Sequence, residues 1–132
     1  MSRQSVEPEG VAPPGGHYSH AVVAPQGTTI HVAGQVSLDE DGNLVGAGDA
    51  AAQARQALVN LRRVLEAAGA TLDDVVKTTV YLTDLDSRGP VNEARLEAFT
   101  APPPANTLLV VSSLALPEFL VEIEAVAVIP MG

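Results

Sequence analysis

The chain has 132 residues, 46% hydrophobic and only 17% charged, which suits one compact globular domain with a real core. Sixteen acids against seven bases give a net charge of −9, and the scattered bases form no face that could displace counterions from nucleic-acid phosphates. Cysteine is absent, which excludes disulfides, thiol nucleophiles and zinc–thiolate centres, and no apolar run reaches the ~18 residues of a membrane span.

No basic stretch followed by an apolar core opens the chain, so no signal peptide is expected and a cytoplasmic location is the default. Residues 1–16, rich in Pro, Gly and Glu, read as a flexible lead-in to a single domain over 17–132. Tyr18–Ala24 and Thr28–Gly34 flank Pro25-Gln26-Gly27, a turn signal, and predict a β-hairpin. Asp49 is placed to cap a helix reaching about Ala68. Its stripe is Ala54, Ala57, Leu58, Leu61, Val64, Leu65 and Ala68, and Gly69 is its natural stop. The β-branched run Val75–Leu82 predicts a strand. Pro90 suits the first turn of a second helix over about Val91–Phe99.

Pro102-Pro103-Pro104 then delivers the chain to two apolar strands, Asn106–Ser113 and Leu120–Ile129. Glu122 and Glu124 sit inside the second. Strand side chains alternate, so both acids point the same way, about 7 Å apart. Two carboxylates among apolar residues imply a wet face, a partner or a ligand. The order is β-β-α-β-α-β-β: an α+β domain with a mixed sheet of five or six strands and two helices on one face. Two helices cannot cover both sheet faces, so the free face is expected to be buried in a symmetric homo-oligomer.

The segments His31–Val36, Ala51–Leu61, Ala67–Ala70, Asp74–Leu82, Val91-Asn92, Pro104–Thr107 and Val121–Val128 resemble the RidA/YjgF family, also called endoribonuclease L-PSP, in one order along nearly the whole chain. The resemblance implies a chorismate-mutase-like fold assembled as a homotrimer with clefts between subunits. It implies cofactor-free, metal-free hydrolysis of amino-acid-derived enamines and imines, releasing ammonia. Carried over by position, Glu122 directs water. Tyr18, Gly34 and Asn92 shape the cleft, Ala33 stands where the family has a serine, and Asn106 stands where it has a carboxylate-clamping arginine, followed by Thr107.

An arginine fork grips a carboxylate with two charge-assisted hydrogen bonds, which one amide cannot match. The exchange is expected to weaken 2-imino-acid binding about tenfold to a thousandfold, with Glu122 and Glu124 in a neighbouring strand adding like charge. Lys77 and Arg88 are the bases considered as substitutes, although neither is at a clamp position. The expected substrate is therefore a reactive small molecule without a free carboxylate at the Asn106 end.

Each residue also has a plainer reading. Glu122 is otherwise an exposed or ion-paired strand acid, and Tyr18 a half-buried packing residue. Asn92 and Asn106 are otherwise partners of local backbone. Glu124 is read as structural. His17 and His20 fall on opposite faces of a strand and match no metal signature. The serines have no triad context, and no Lys-Ser/Thr follows Gly42, Gly46 and Gly48 to cradle phosphate. A non-catalytic trimer that binds a metabolite or another protein is the second reading. A ribonuclease is the third, and the charge opposes it.

Overall fold

The computed structural model describes residues 3–132; Met1 and Ser2, the start of the expected lead-in, lie outside them. The elements run β1 (Gln4–Val6), β2 (Ala21–Val23), β3 (Gly27–Gln35), α1 (Ala50–Ala67), β4 (Val75–Leu82), α2 (Arg88–Ala98), β5 (Ala105–Val110) and β6 (Val121–Pro130). The strand order β3-β6-β4-β5 makes one mixed sheet, with β4 and β5 parallel and the other pairs antiparallel. Both helices lie on one face: α1 packs on β3, β6 and α2.

Helix α1 follows its sequence signals. The Asp49 carboxylate accepts from Ala52 N at 3.0 Å, satisfying an orphan donor of the first turn. Gly69, at φ +85°, turns the chain out of the helix where a side chain would be strained. Ala54, Ala57, Leu58, Leu61 and Leu65 are buried, as their spacing predicts. Val64, at the margin of the stripe, is exposed, and so is Ala68 beyond the last turn. These residues meet Val80 and Leu82 of β4, Val121 and Ile123 of β6, and Phe99 after α2. Each fully buried aliphatic or aromatic side chain contributes about 1.5–3 kcal/mol.

Two expectations about the strands need correction. The sheet has four strands, not five or six, because β1 and β2 form a separate antiparallel ribbon. The expected hairpin of Tyr18–Ala24 with Thr28–Gly34 does not form: β2 pairs with β1, and β3 pairs with β6. Pro25 has no N–H for a ladder. Gly27 lets β3 start tight against β6, since a Cβ there would stand 1.9 Å from Ile129 O.

The lead-in over 1–16 therefore contains a strand, contrary to a wholly flexible stretch. Its anchor is Arg3, which is buried and donates to Thr100 O at 3.1 Å, to Pro102 O at 3.2 Å, and to Val75 O and Leu72 O. Four carbonyls distant in sequence thus hold Arg3 and the strand that follows it.

The sheet face opposite the helices is uncovered in the protomer. Along β6, Val121, Ile123 and Ala125 turn to the core, while Glu122, Glu124 and Val126 turn away. Lys77, Thr79 and Tyr81 of β4 share that outer face with Thr107 and Leu109 of β5. Among the described residues no helix is long and apolar enough to cross a membrane.

Candidate active site

The carried-over residues gather in two clusters, one on each face of the sheet. The first belongs to the open face. Glu122 lies opposite Tyr81 in register, half-buried, with its carboxylate folded over the bulge that interrupts the β3–β6 ladder between Val32 and Gln35. Gly34 sits in that bulge. A Cβ on Gly34 would stand 1.9 Å from Glu122 Oε2 and 2.8 Å from Cγ, so the carboxylate occupies space that any side chain would fill. Ala33 is exposed beside it, its carbonyl accepting from Gln35 Nε2 at 3.1 Å.

Neighbouring polar groups on this face answer one another. The Tyr81 hydroxyl donates to Glu124 Oε1 at 2.5 Å, and Lys77 Nζ donates to Thr107 Oγ1 at 2.6 Å. The hydrogen bond to Glu124 raises the Tyr81 pKa above the usual phenol value, with burial and the charges of Glu124 and Glu122 acting in the same direction. Tyr81 is therefore a donor throughout the neutral range. Glu124 has a structural partner, and Glu122 has no protein hydrogen bond among the described residues.

The second cluster lies on the helix side. Parallel pairing sets Asn106 beside Thr78, and Thr78 Oγ1 donates to Asn106 Oδ1 at 2.7 Å. Behind Thr78 stands Arg95 of α2, only 2% exposed. Its guanidinium donates to Thr78 Oγ1 at 3.1 Å and to His17 O at 2.8 Å, and lies 5.8 Å from the Phe99 ring centroid. Arg95 Nε is buried with no hydrogen-bond partner, and no carboxylate pairs with the charge among the described residues. Burial pushes its pKa down to about 10, which leaves it charged at neutral pH.

Residues 15–19 wrap this cluster. Asn92 Oδ1 accepts from His17 N at 3.1 Å, His17 Nε2 lies 2.7 Å from Phe99 O, and Ser19 joins Pro104 O and Pro103 O through its N–H and hydroxyl at 3.1 and 2.6 Å. Asn92 thus holds the backbone of a turn 75 residues away, not that of its own helix. Tyr18 is half-buried, its ring edge-on to His20 at 5.8 Å and its hydroxyl 3.4 Å from Gly15 N. It borders a cavity of about 440 Å³ between β1, the Pro13-Pro14 turn and Pro102-Pro103, which reaches neither Asn106 nor Glu122.

The structure brings Gly34 to Glu122, and Asn92 and the Tyr18 turn to the strand that carries Asn106. It does not bring the two clusters together in one protomer. The expectation that the acids flank Asn106 in a neighbouring strand is corrected: β4 separates β6 from β5, and Glu122 and Asn106 point to opposite faces. Thr107 shares the Glu122 face instead. Lys77 is engaged by Thr107, so it does not approach Asn106 as a substitute base. Among the described residues, no three His, Asp or Glu side chains are placed to hold a metal ion.

Sequence reasoning passed over Arg95. The signal was available: Val91, Ala94, Arg95 and Ala98 share helical spacing, so an arginine sits in an otherwise apolar stripe.

The sequence profile described as Endoribonuclease L-PSP matches residues 9–129. The chain belongs to this family, the RidA/YjgF family. It is 42% identical over 114 residues to the 2-iminobutanoate/2-iminopropanoate deaminase of Rattus norvegicus, covering 86% of this chain and 80% of that one. A RutC family protein of Pyrococcus horikoshii is 40% identical over 119 residues, 90% of this chain and 92% of its own. Among solved structures, a Rid-family protein of unknown function from Yersinia pestis superposes with a TM-score of 0.89 at 40% identity, covering 98% of this chain and all of that one (100%). RidA from a Psychrobacter species gives a TM-score of 0.73 at 35% identity, with 96% and 100% covered. The chorismate-mutase-like arrangement of two helices on a mixed sheet is the fold of these relatives.

Proposed function

We propose that this member of the RidA/YjgF family is a cofactor-free hydrolase of a reactive enamine or imine. The observation that carries the reading is the Glu122 carboxylate, which lies over the Gly34 bulge where a Cβ would displace it and makes no protein hydrogen bond among the described residues. Likeness to an iminobutanoate/iminopropanoate deaminase supports the reaction class. In the reaction a water held by Glu122 adds to the imine carbon, the carboxylate taking its proton. Return of that proton to nitrogen gives the carbinolamine, and transfer of the carbinolamine's hydroxyl proton to the amine, with the carboxylate as relay, breaks the C–N bond, expels ammonia and leaves the carbonyl product. Atoms balance as imine plus water giving carbonyl plus ammonia.

The placement of Glu122 and Asn106 on opposite faces supports a site completed between protomers, and we assign the assembly as a homotrimer with clefts at its interfaces. There the open polar face of one subunit supplies the acid with Gly34 and Thr107, and the Asn106 end of a neighbour, with Tyr18 and Asn92, shapes the other wall. Asn106 in place of a clamping arginine loosens the grip on a substrate carboxylate and widens the range of substrates. A net charge of −9 weighs against the ribonuclease activity in the family's older name.

The test is ammonia release from 2-iminopropanoate, 2-iminobutanoate and enamines without a carboxylate, each generated in place. Glu122→Gln is expected to lower the rate about 10²- to 10⁴-fold, the range of one general base. Decay of every substrate at the uncatalysed rate sinks the hydrolase reading. A metabolite that raises Tm without being consumed then marks a binding protein.

A further inference from the structure

We propose that Arg95 is a positioning residue for the Asn106 end of the site: through Thr78 it fixes Asn106 as an outward hydrogen-bond donor and gives that end a preference for a carboxylate over a neutral carbonyl. The proposal rests on the reading of Asn106 as part of the substrate cleft, and replaces the expectation that the loss of a clamping arginine leaves this end for uncharged guests.

Donor chemistry fixes the direction of the chain. A guanidinium has only N–H donors, so Thr78 Oγ1 accepts from Arg95 at 3.1 Å. The one hydroxyl proton of Thr78 is then left for Asn106 Oδ1, 2.7 Å away. Asn106 is held through its oxygen, and its Nδ2 amide group, with no protein hydrogen bond among the described residues and not buried without a partner, is left free to donate from a half-exposed position. Each donor in such a chain polarises the next, so the amide N–H is a stronger donor than a free asparagine offers.

The charge argument points the same way. Arg95 is buried, lacks a carboxylate partner, and has a bare Nε. A cation in that state costs folding stability and is retained against it. A ligand oxygen on Asn106 Nδ2 lies about 8 Å from the guanidinium, three hydrogen bonds and an amide away. At that range and an effective dielectric near 20, the attraction favours an anionic oxygen about tenfold or more over a neutral one. That is less than a bidentate clamp gives, so a weaker grip and a surviving carboxylate preference coexist.

The experiment needs binding, not turnover. NMR titrations of the full-length protein with 2-oxobutanoate and 2-oxobutanamide compare a carboxylate with its neutral isostere, and loss of binding in Asn106→Leu locates both probes. Wild type is expected to favour the carboxylate about tenfold, Arg95→Lys to keep most of the ratio, Arg95→Met to bring it near one, and Thr78→Val, which leaves the charge but frees Asn106 to turn, to lower it in part. A purely structural role for Arg95 would make Lys and Met weaken both probes alike, and that result overturns the proposal. Equal binding of the two probes by wild type, or binding of neither, also overturns it. Thr78→Val is nearly isosteric and serves where Arg95→Met fails to fold. A protein that shows the Arg95-dependent ratio but hydrolyses no imine defeats the hydrolase reading and leaves this one standing.

Discussion

The two faces of the sheet solve the problem of placing polar groups in different ways. On the open face, Glu122, Glu124, Tyr81 and Lys77 stand in or near solvent, and each contact is a single pair between adjacent strands. On the helix side, Arg95, Thr78 and Asn106 form one buried line that ends at the surface, and the His17 and Asn92 contacts close around it. The open face can carry carboxylates because strand alternation turns them toward water. The buried side can carry only groups whose hydrogen bonds are directed, so what it offers a ligand is orientation and field.

The largest expected effect breaks the open face at its narrowest point. Gly34→Ala puts a methyl where Glu122 Oε2, Cδ and Cγ now lie, at 1.9, 2.7 and 2.8 Å. The carboxylate must swing away from the bulge. We expect activity to fall about 10²-fold or more, as for loss of the base itself, while Tm moves by only a few degrees. Activity equal to wild type would show that Glu122 works from another position.

A smaller effect sharpens the pairwise character of that face. The chain has two tyrosines, and in a Tyr18→Phe background the phenolate absorbance reports Tyr81 alone. Its hydrogen bond to Glu124 is the leading cause of its raised pKa. Glu124→Gln is expected to move the titration midpoint down toward the ordinary value. The sign for stability follows: a folded pKa above the unfolded one gives stabilisation present at neutral pH and lost as pH rises through the folded value. An unmoved midpoint would assign the shift to burial instead.

Much of this arrangement was legible before any coordinates. Helix α1 shows its cap, stripe and stop, and the alternation in β6 turns both acids the same way because strand side chains have period two. The β1–β2 ribbon was not legible, since Arg3 holds it through carbonyls 69 to 99 residues away and no local signal announces such contacts. The site was half readable. Resemblance singled out Glu122, Gly34 and Asn106, but the faces they occupy depend on β4 lying between β5 and β6 and on the parallel register of Thr78 with Asn106. Arg95 shows in the sequence only as an arginine in an apolar helical stripe, and its reach to Thr78 of β4 depends on how α2 packs on the sheet.

The smallest expected effect separates the two faces most cleanly. Arg95→Met at pH 7 removes a buried cation whose pKa, pushed by burial well below the ordinary guanidinium range to about 10, corresponds to a folding penalty on the order of 3 kcal/mol. It also removes hydrogen bonds to His17 O and Thr78 Oγ1, which as bonds from a charged donor contribute about 1.5–3 kcal/mol each. The terms oppose and nearly cancel, so the urea midpoint should shift little for so buried a side chain. The pH dependence carries the sign. Above about pH 10, up to the ordinary guanidinium range, the unfolded arginine binds more protons than the folded one, so wild-type stability rises relative to Arg95→Met across that window. A large loss at pH 7, with no relative gain of wild type above pH 10, would make Arg95 a packing residue and leave the line to Asn106 without a reason for its charge.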